Sequence, residues 1–229
     1  MDKFNWRKIY KKAVTFSYDD GVEQDLHLLD IFNKYGMKCT FNINTGLDYN
    51  HGTWNNKGLD IHRLNMPEHV SDYSGHEIAV HTRTHPNLLE CSEEQIRQEI
   101  NDDIVAITDL FGTKPVGMAY PYGTYDDKLI KIIHEYDIRY SRGVSSTHSF
   151  DEQTELMAFA PTCHHEDEQL FELARQFIEM EPERPQIFYI WGHSYEFEVN
   201  HNWDRIEELC KLLSDKTDIF YGTNRQVLL

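Results

Sequence analysis

Ala13-Val14-Thr15-Phe16-Ser17-Tyr18-Asp19-Asp20-Gly21 is the stretch on which the reading of this chain turns. An apolar run runs straight into two adjacent carboxylates and a glycine, the pattern of a short buried strand ending in a polar turn. Like charges held side by side after a buried strand need a cation or a proton to coexist. Neighbouring side chains diverge, so one carboxylate can ligate a metal while the other faces a substrate. Farther along, His81-Thr82-Arg83-Thr84-His85 places two imidazoles four positions apart. A lone histidine is more often a surface or core residue than a ligand, but one turn of helix or a tight loop brings a pair at this spacing to one side. Together with one carboxylate the pair makes a two-histidine, one-carboxylate set with open positions for water and substrate. Such a set suits zinc, cobalt or iron(II), and ligand type does not separate them.

Outward from these stretches, strand-like and helix-like segments alternate. Leu26, Leu28, Leu29, Ile31 and Phe32 form a helical stripe stopped at Gly36, and residues 38–43 read as a strand. Residues 44–74 are rich in Asn, Gly, Asp and His and show no sustained period, as expected of a lid or binding loop. Residues 77–81 read as a strand that delivers the histidine pair. Ser92 and Gln95 form a capping box that opens a helix closed by Gly112. Strands follow at 116–120, 138–141, 186–191 and 219–221, with helices at 125–136, 167–181 and 203–213; residues 142–166 read as mostly irregular. Asp19, Asp20, His81, Tyr122 and His193 each fall just past the carboxyl end of a strand. In an α/β barrel those ends gather on one face, where active sites sit. The expected fold is therefore an α/β barrel rather than a doubly wound sheet.

Composition narrows the function. The chain has 229 residues, 40% apolar and 13% aromatic, which suits a globular protein that buries a substantial core. A net charge of −17, with no run of Lys or Arg, argues against nucleic acid and against an anionic membrane surface. Cys39, Cys91, Cys163 and Cys210 are widely spaced and read as ordinary, mostly buried thiols. No stretch approaches the length of a membrane span, and residues 1–14 are too charged for a signal peptide, so the chain reads as cytoplasmic.

His193 lies in Tyr189-Ile190-Trp191-Gly192-His193-Ser194, at the end of the most apolar strand. It reads either as a core histidine satisfied by a carbonyl or as a general acid, since imidazole titrates near neutral pH. His164 and His165 are adjacent, and adjacent residues seldom face one point, so a substrate contact or a loop position is expected there. Tyr120, Tyr122, Tyr125, Trp191, Tyr195 and Phe197, with Trp54 on the long loop, could cover the C–H face of a sugar.

On these motifs the chain resembles the polysaccharide deacetylases, carbohydrate esterase family 4, also called the NodB homology domain. The family's first motif, Thr-Phe-Asp-Asp-Gly, appears as Thr15-Phe16-Ser17-Tyr18-Asp19-Asp20-Gly21, with two residues inserted. Its histidine-pair motif is matched by His81-Thr82-Arg83-Thr84-His85. The resemblance implies a single catalytic domain over residues 1–229, folded as a distorted (β/α)7-type barrel with the 44–74 loop as an insertion. It makes Asp19 the general base, Asp20, His81 and His85 the metal ligands and His193 the general acid, with Tyr120, Pro121, Tyr122 and Trp191 against the substrate. The implied cofactor is a divalent metal, zinc before cobalt or iron. The third motif, Arg-x-Pro-[Phe/Tyr]-Gly, is here Ala119-Tyr120-Pro121-Tyr122-Gly123, so the arginine that steadies the base is missing; Arg83 or Arg142 would have to supply it from elsewhere. The fourth motif, an Asp-Trp pair, has no counterpart, and residues 142–151 occupy its place.

The expected activity is metal-dependent removal of N- or O-linked acetyl groups from a saccharide. Two alternatives stand beside it. One is a related amidohydrolase cleaving a small cyclic amide or ureide, which the long loop could enclose. The other is a sugar-binding module without catalysis, which would need neither Asp19 nor His193. The expected partner is an acetylated saccharide or a small amide, with no nucleic acid and no membrane.

Overall fold

The computed structural model describes residues 5–229. In chain order its elements are β1 (Lys12–Asp20), α1 (Asp25–Lys34), β2 (Cys39–Ile43), β3 (Trp54–Asn56), β4 (Leu59–Ile61), α2 (Met66–His69), β5 (Glu77–Val80), α3 (Glu93–Phe111) and β6 (Gly117–Ala119). They continue with α4 (Asp127–His134), β7 (Tyr140–Arg142), β8 (Cys163–His164), α5 (Leu170–Glu179), β9 (Gln186–Gly192), α6 (Tyr195–Val199), α7 (Trp203–Leu213), β10 (Ile219–Tyr221) and α8 (Asn224–Leu228).

The main sheet runs β7-β6-β5-β2-β1-β9-β8 and every pair in it is parallel. β1 sits at its centre and is buried at all nine positions, as a strand covered on both faces should be. Its first residues, Lys12 to Val14, also pair with β10, and its last, Phe16 to Asp20, pair with β2. The sheet curls toward closure. Phe159 pairs with Arg142 beyond β7, and the same stretch of chain then enters β8, so residues 159–164 bridge the two edge strands. This is the distorted barrel expected from the sequence.

The local chemistry explains the elements. Ser92 and Gln95 make the capping box of α3, Ile96, Ile100, Ile104 and Ile107 form its buried face, and Gly112 ends it at φ 67°. β8 is two residues long and lay inside the stretch read as irregular, too short to carry a period. The 44–74 segment holds more order than its composition suggested. β3 and β4 form an antiparallel hairpin whose turn residues Lys57 and Gly58 both have positive φ, the geometry that suits the twist of a two-residue hairpin. All four cysteines are free, and three are buried.

Candidate active site

The strand β1 ends by breaking its own alternation. In a regular strand Asp19 and Asp20 would point to opposite faces. Asp20 instead has φ 86° and Gly21 follows at φ 66°, a left-handed pair that turns the second carboxylate toward the carboxyl end of the barrel. Both carboxylates line one cavity of about 560 Å³. Both are buried, at 3% and 6% exposure, so each needs a partner.

Asp19 finds its partners in the barrel interior. Asn42, its neighbour across the β1–β2 register, donates to Oδ1 at 2.8 Å, and Arg142 donates from the end of β7 to the same oxygen. Arg142 also donates to Ser17 Oγ at 3.2 Å and lies 4.6 Å from the Trp191 ring centre. Both side-chain donors fall on Oδ1, which leaves Oδ2 available to a reactant. Burial by itself pushes the Asp19 carboxyl up, but Arg142, with His81 and His193, outweighs it and holds the group below the usual carboxylate range. Asp19 is thus held ionised, and of the two arginines considered from the sequence it is Arg142 that stands beside it. Arg83 does not reach it: its side chain bonds Thr45 Oγ1 at 3.2 Å.

Asp20 faces the histidines. Its Oδ1 lies 3.9 Å from His81 Nε2 and 3.7 Å from His85 Nε2, and its Oδ2 lies 3.9 Å from His193 Nε2. The histidine pair rides on a tight loop after β5 in which Thr82 and His85 have positive φ, and the backbone N–H of His85 donates to Thr82 Oγ1 at 3.0 Å. Asp103 of α3, through Oδ2, accepts the His81 backbone N–H at 3.2 Å and so ties the loop to the helix behind it. Arg63, from the 44–74 segment, pairs with Asp20 Oδ1 at 3.2 Å and with the Asp20 carbonyl. Burial pushes Asp20 up, yet Arg63 and the three histidines hold it far below its ordinary value.

These residues fit a divalent ion. One ligand atom from each of Asp20, His81 and His85 falls within 4.8 Å of the others. His81 commits Nδ1 to the Ala119 carbonyl at 2.7 Å, which leaves the Nε2 lone pair for the cavity, the usual arrangement behind a metal-binding imidazole. Burial lowers His81 to about 4 and His85 below its usual value, so both rings are neutral and able to ligate near pH 7.

A second cluster stands behind His193. His164 Nε2 and His165 Nε2 each lie 3.1 Å from Glu196 Oε2, and His193 Nδ1 lies 3.4 Å from the same oxygen. The adjacent histidines therefore do face one point, against the sequence expectation. Although such a trio can hold an ion, the tautomer of His164 argues otherwise. His164 Nδ1 accepts the backbone N–H of Glu166 at 3.1 Å, so its proton sits on Nε2 and points at Glu196. At His164 the contact is therefore an N–H group beside a carboxylate rather than a free lone pair. Burial pushes Glu196 up, but the three rings hold it far below its ordinary range. Burial likewise pulls His193 down, but Glu196 and then the two aspartates raise it to about 9. His193 thus faces Asp20 through Nε2 and Glu196 through Nδ1, a setting that favours its protonated form. A methyl at Gly192 would come within 2.0 Å of His165 Nδ1, so only glycine allows β9 to pass this ring.

Of the nine residues to which the resemblance gives a role, eight line the same cavity: Asp19, Asp20, His81, His85, Tyr120, Tyr122, Trp191 and His193, and Trp54 and Tyr195 line it with them. Pro121 is buried in the turn beside them and lies outside the lining. Sequence reasoning missed Arg63, Glu196 and Asn42. Glu196 left one signal, an acid three positions after His193 at the start of a short helix; Arg63 and Asn42 left none. A larger hollow of about 760 Å³ lies at the amino ends of the strands, beside Glu77 and Arg139, and gathers no such set of groups. Volume alone does not locate the site.

Comparisons with known proteins bear on the fold and the family. Chitin deacetylase 1 of Cryptococcus neoformans var. grubii is 30% identical over 122 residues, covering 52% of this chain and 23% of that protein. The chain thus spans about a quarter of that relative's length. A family 4 carbohydrate esterase from Streptomyces lividans, solved with acetate, superposes with a TM-score of 0.57 over 93% of each chain at 16% identity. A family 4 pseudoenzyme from Bacillus anthracis superposes equally well, at 0.57 over 96% of this chain and 66% of its own, with 16% identity. At such identities the likeness concerns the fold, and the fold is shared by an active and an inactive protein. The profile of the polysaccharide deacetylase family matches residues 7–141, more than half of the sequence and a span that includes Asp19, Asp20, His81 and His85. The chain belongs to the polysaccharide deacetylase family.

Proposed function

We propose that this chain removes acetyl groups, N- or O-linked, from a saccharide, with a divalent metal ion, zinc before cobalt or iron, held by Asp20, His81 and His85. The observation that carries the reading is the division of labour between the two aspartates: Asp20 faces two neutral imidazoles while Asp19 is held ionised by Arg142.

The ion, when bound, supplies Lewis acidity to the acetyl carbonyl and makes a water easier to deprotonate. Asp19 accepts a proton from that water through its free oxygen, and the water oxygen bonds to the acetyl carbon. The backbone N–H of Tyr122 serves as a donor to the developing oxyanion. His193, protonated and backed by Glu196, gives its proton to the departing nitrogen or oxygen as the C–N or C–O bond breaks. The products are acetate and a free amine or hydroxyl. Tyr122 presents exposed ring surface to the sugar at the cavity mouth, while Tyr120 and Trp191 line the cavity as buried walls.

Family membership supports the acetyl-removing chemistry. The pseudoenzyme neighbour shows that the fold does not secure it, which gives weight to the Asp19–Arg142 and His193–Glu196 pairs. The packed 44–74 segment over the cavity favours a second reading, hydrolysis of a small cyclic amide. Acetate release from a panel of N- and O-acetylated sugars, run beside cyclic amides, separates the two. The expected result is release of acetate with zinc present and its loss on chelation. Turnover of a cyclic amide with none of the acetylated sugars cleaved overturns the proposal.

A further inference from the structure

The 44–74 segment bounds the cavity on one side, lining it through Trp54 and Arg63. At its root this segment is stitched to the loop after β1. Val22 and Arg63 form an antiparallel bridge, Glu23 N–H donates to His62 O at 3.0 Å, and Leu64 N–H donates to Gly21 O at 2.9 Å. Its hairpin then crosses over the carboxyl end of β1 toward β9. The Trp54 ring meets the Tyr195 ring edge-on with centroids 5.3 Å apart, and Lys57 Nζ at the turn donates to Asn200 Oδ1 at 2.9 Å.

Arg63 makes this a fixed wall. Its side chain is 5% exposed and donates to the Asp20 carbonyl and, at 2.6 Å, to Asn44 Oδ1, while its guanidinium carbon lies 5.1 Å from the Trp54 ring centre. Ordered backbone bonds at the root, a buried cation in the middle and two contacts at the tip leave little freedom to swing away.

The opposite rim is built differently. It belongs to the β6 and β7 ends and carries exposed apolar groups: Tyr122 at 63% exposure, Val144 at 38% and Tyr125 at 37%. Tyr122 reaches inward as well, with its ring centre 4.8 Å from that of His85. A sugar leaving the cavity on this side meets aromatic surface, and on the other side it meets the wall.

An internal unit of a polymer needs a groove open at both ends, because the chain must enter and leave. We propose that this site takes the acetylated unit at the end of a short saccharide chain, with the neighbouring unit running out over Tyr122 and Tyr125. The inference rests on the deacetylase reading above. The cavity volume of about 560 Å³ agrees with it, since pockets that enclose small molecules span about 300–1,000 Å³.

The test uses the zinc-loaded protein and N-acetylglucosamine oligomers of one to six units, with products mapped by mass spectrometry. The expected product is a chain that has lost one acetyl group at one end, with a rate that stops rising at short length. A soluble long polymer of the same unit should be cleaved about tenfold more slowly per acetyl group, or worse. The double variant Trp54→Ala, Lys57→Ala opens the wall and should begin to deacetylate internal units. Lys57→Ala alone, a change at an exposed position, should show the same shift in smaller degree if the double variant proves unstable by thermal melting. Loss of several acetyl groups along the hexamer by the unaltered protein, or a rate rising through six units, overturns the one-ended site while leaving the deacetylase reading intact. No acetate from any oligomer overturns the deacetylase reading, and this inference with it.

Discussion

Arg142 donates to Asp19 across the barrel although 123 positions separate the two residues in the chain. Both are almost wholly buried, so the contact is a desolvated ion pair. Removing one member of such a pair strands the other charge and costs about 3–5 kcal/mol. Arg142→Met should therefore lower the urea midpoint markedly and abolish turnover. An unchanged midpoint would mean that Asp19 finds its counter-charge elsewhere.

Glu196 should matter in proportion to the difficulty of the leaving group. Glu196→Gln removes the charge that keeps His193 protonated, while the ring remains in place. Hydrolysis of an N-acetyl amino sugar, whose nitrogen must take up a proton, should fall by ~10²-fold or more. Hydrolysis of 4-nitrophenyl acetate, whose leaving group needs no proton, should fall far less. Equal losses on both substrates would remove His193 from the role of acid.

Chelation should leave the chain folded. Each aspartate of the pair already has a buried arginine, Arg142 for Asp19 and Arg63 for Asp20, so the apo site is not a bare double negative charge. Ion at about 100 times its dissociation constant adds about 2.7 kcal/mol. Calorimetry with and without chelator should show one cooperative transition in each case, displaced upward by the metal. Loss of the transition on chelation would make the ion a folding requirement.

Asp25 gives a pH dependence that can be signed. Burial raises its carboxyl to about 7, against hydrogen bonds from Ser194 Oγ at 2.5 Å and Tyr73 O–H at 2.9 Å. The unfolded chain loses this proton near pH 3.9, so from about pH 4 to 7 the folded chain holds a proton that the unfolded one lacks. Stability then falls as pH rises through that window, by at most about 1.4 kcal/mol per unit from this group, and levels off above it. Asp25→Asn should flatten that slope when denaturation is followed from pH 5 to 8. A slope identical to that of the unaltered protein would show that Asp25 titrates normally.

What the sequence revealed follows from how local each signal is. The capping box at Ser92 and Gln95, the isoleucine stripe of α3 and the carboxylates at the end of β1 are written in adjacent residues, and all could be read directly. The left-handed turn at Asp20 could not, because only Gly21 announces it. Arg142 could be named only as one of two substitutes, since its meeting with Asp19 depends on the curl of the whole sheet. Arg63 and Glu196 were hidden for the same reason: an ordinary surface-type residue becomes a buried partner only when a distant loop or short helix folds over the site. The two residues of β8 carry no pattern at all, and their neighbours set their place.

The central claim is that Asp19 performs chemistry while Asp20, His81 and His85 hold the metal, and one variant divides those roles. Asp19→Asn should bind one zinc ion by calorimetric titration much as the unaltered protein does, and should release acetate from an acetylated oligosaccharide ~10²- to 10⁴-fold more slowly. Near-normal acetate release by Asp19→Asn with its zinc bound would contradict the account.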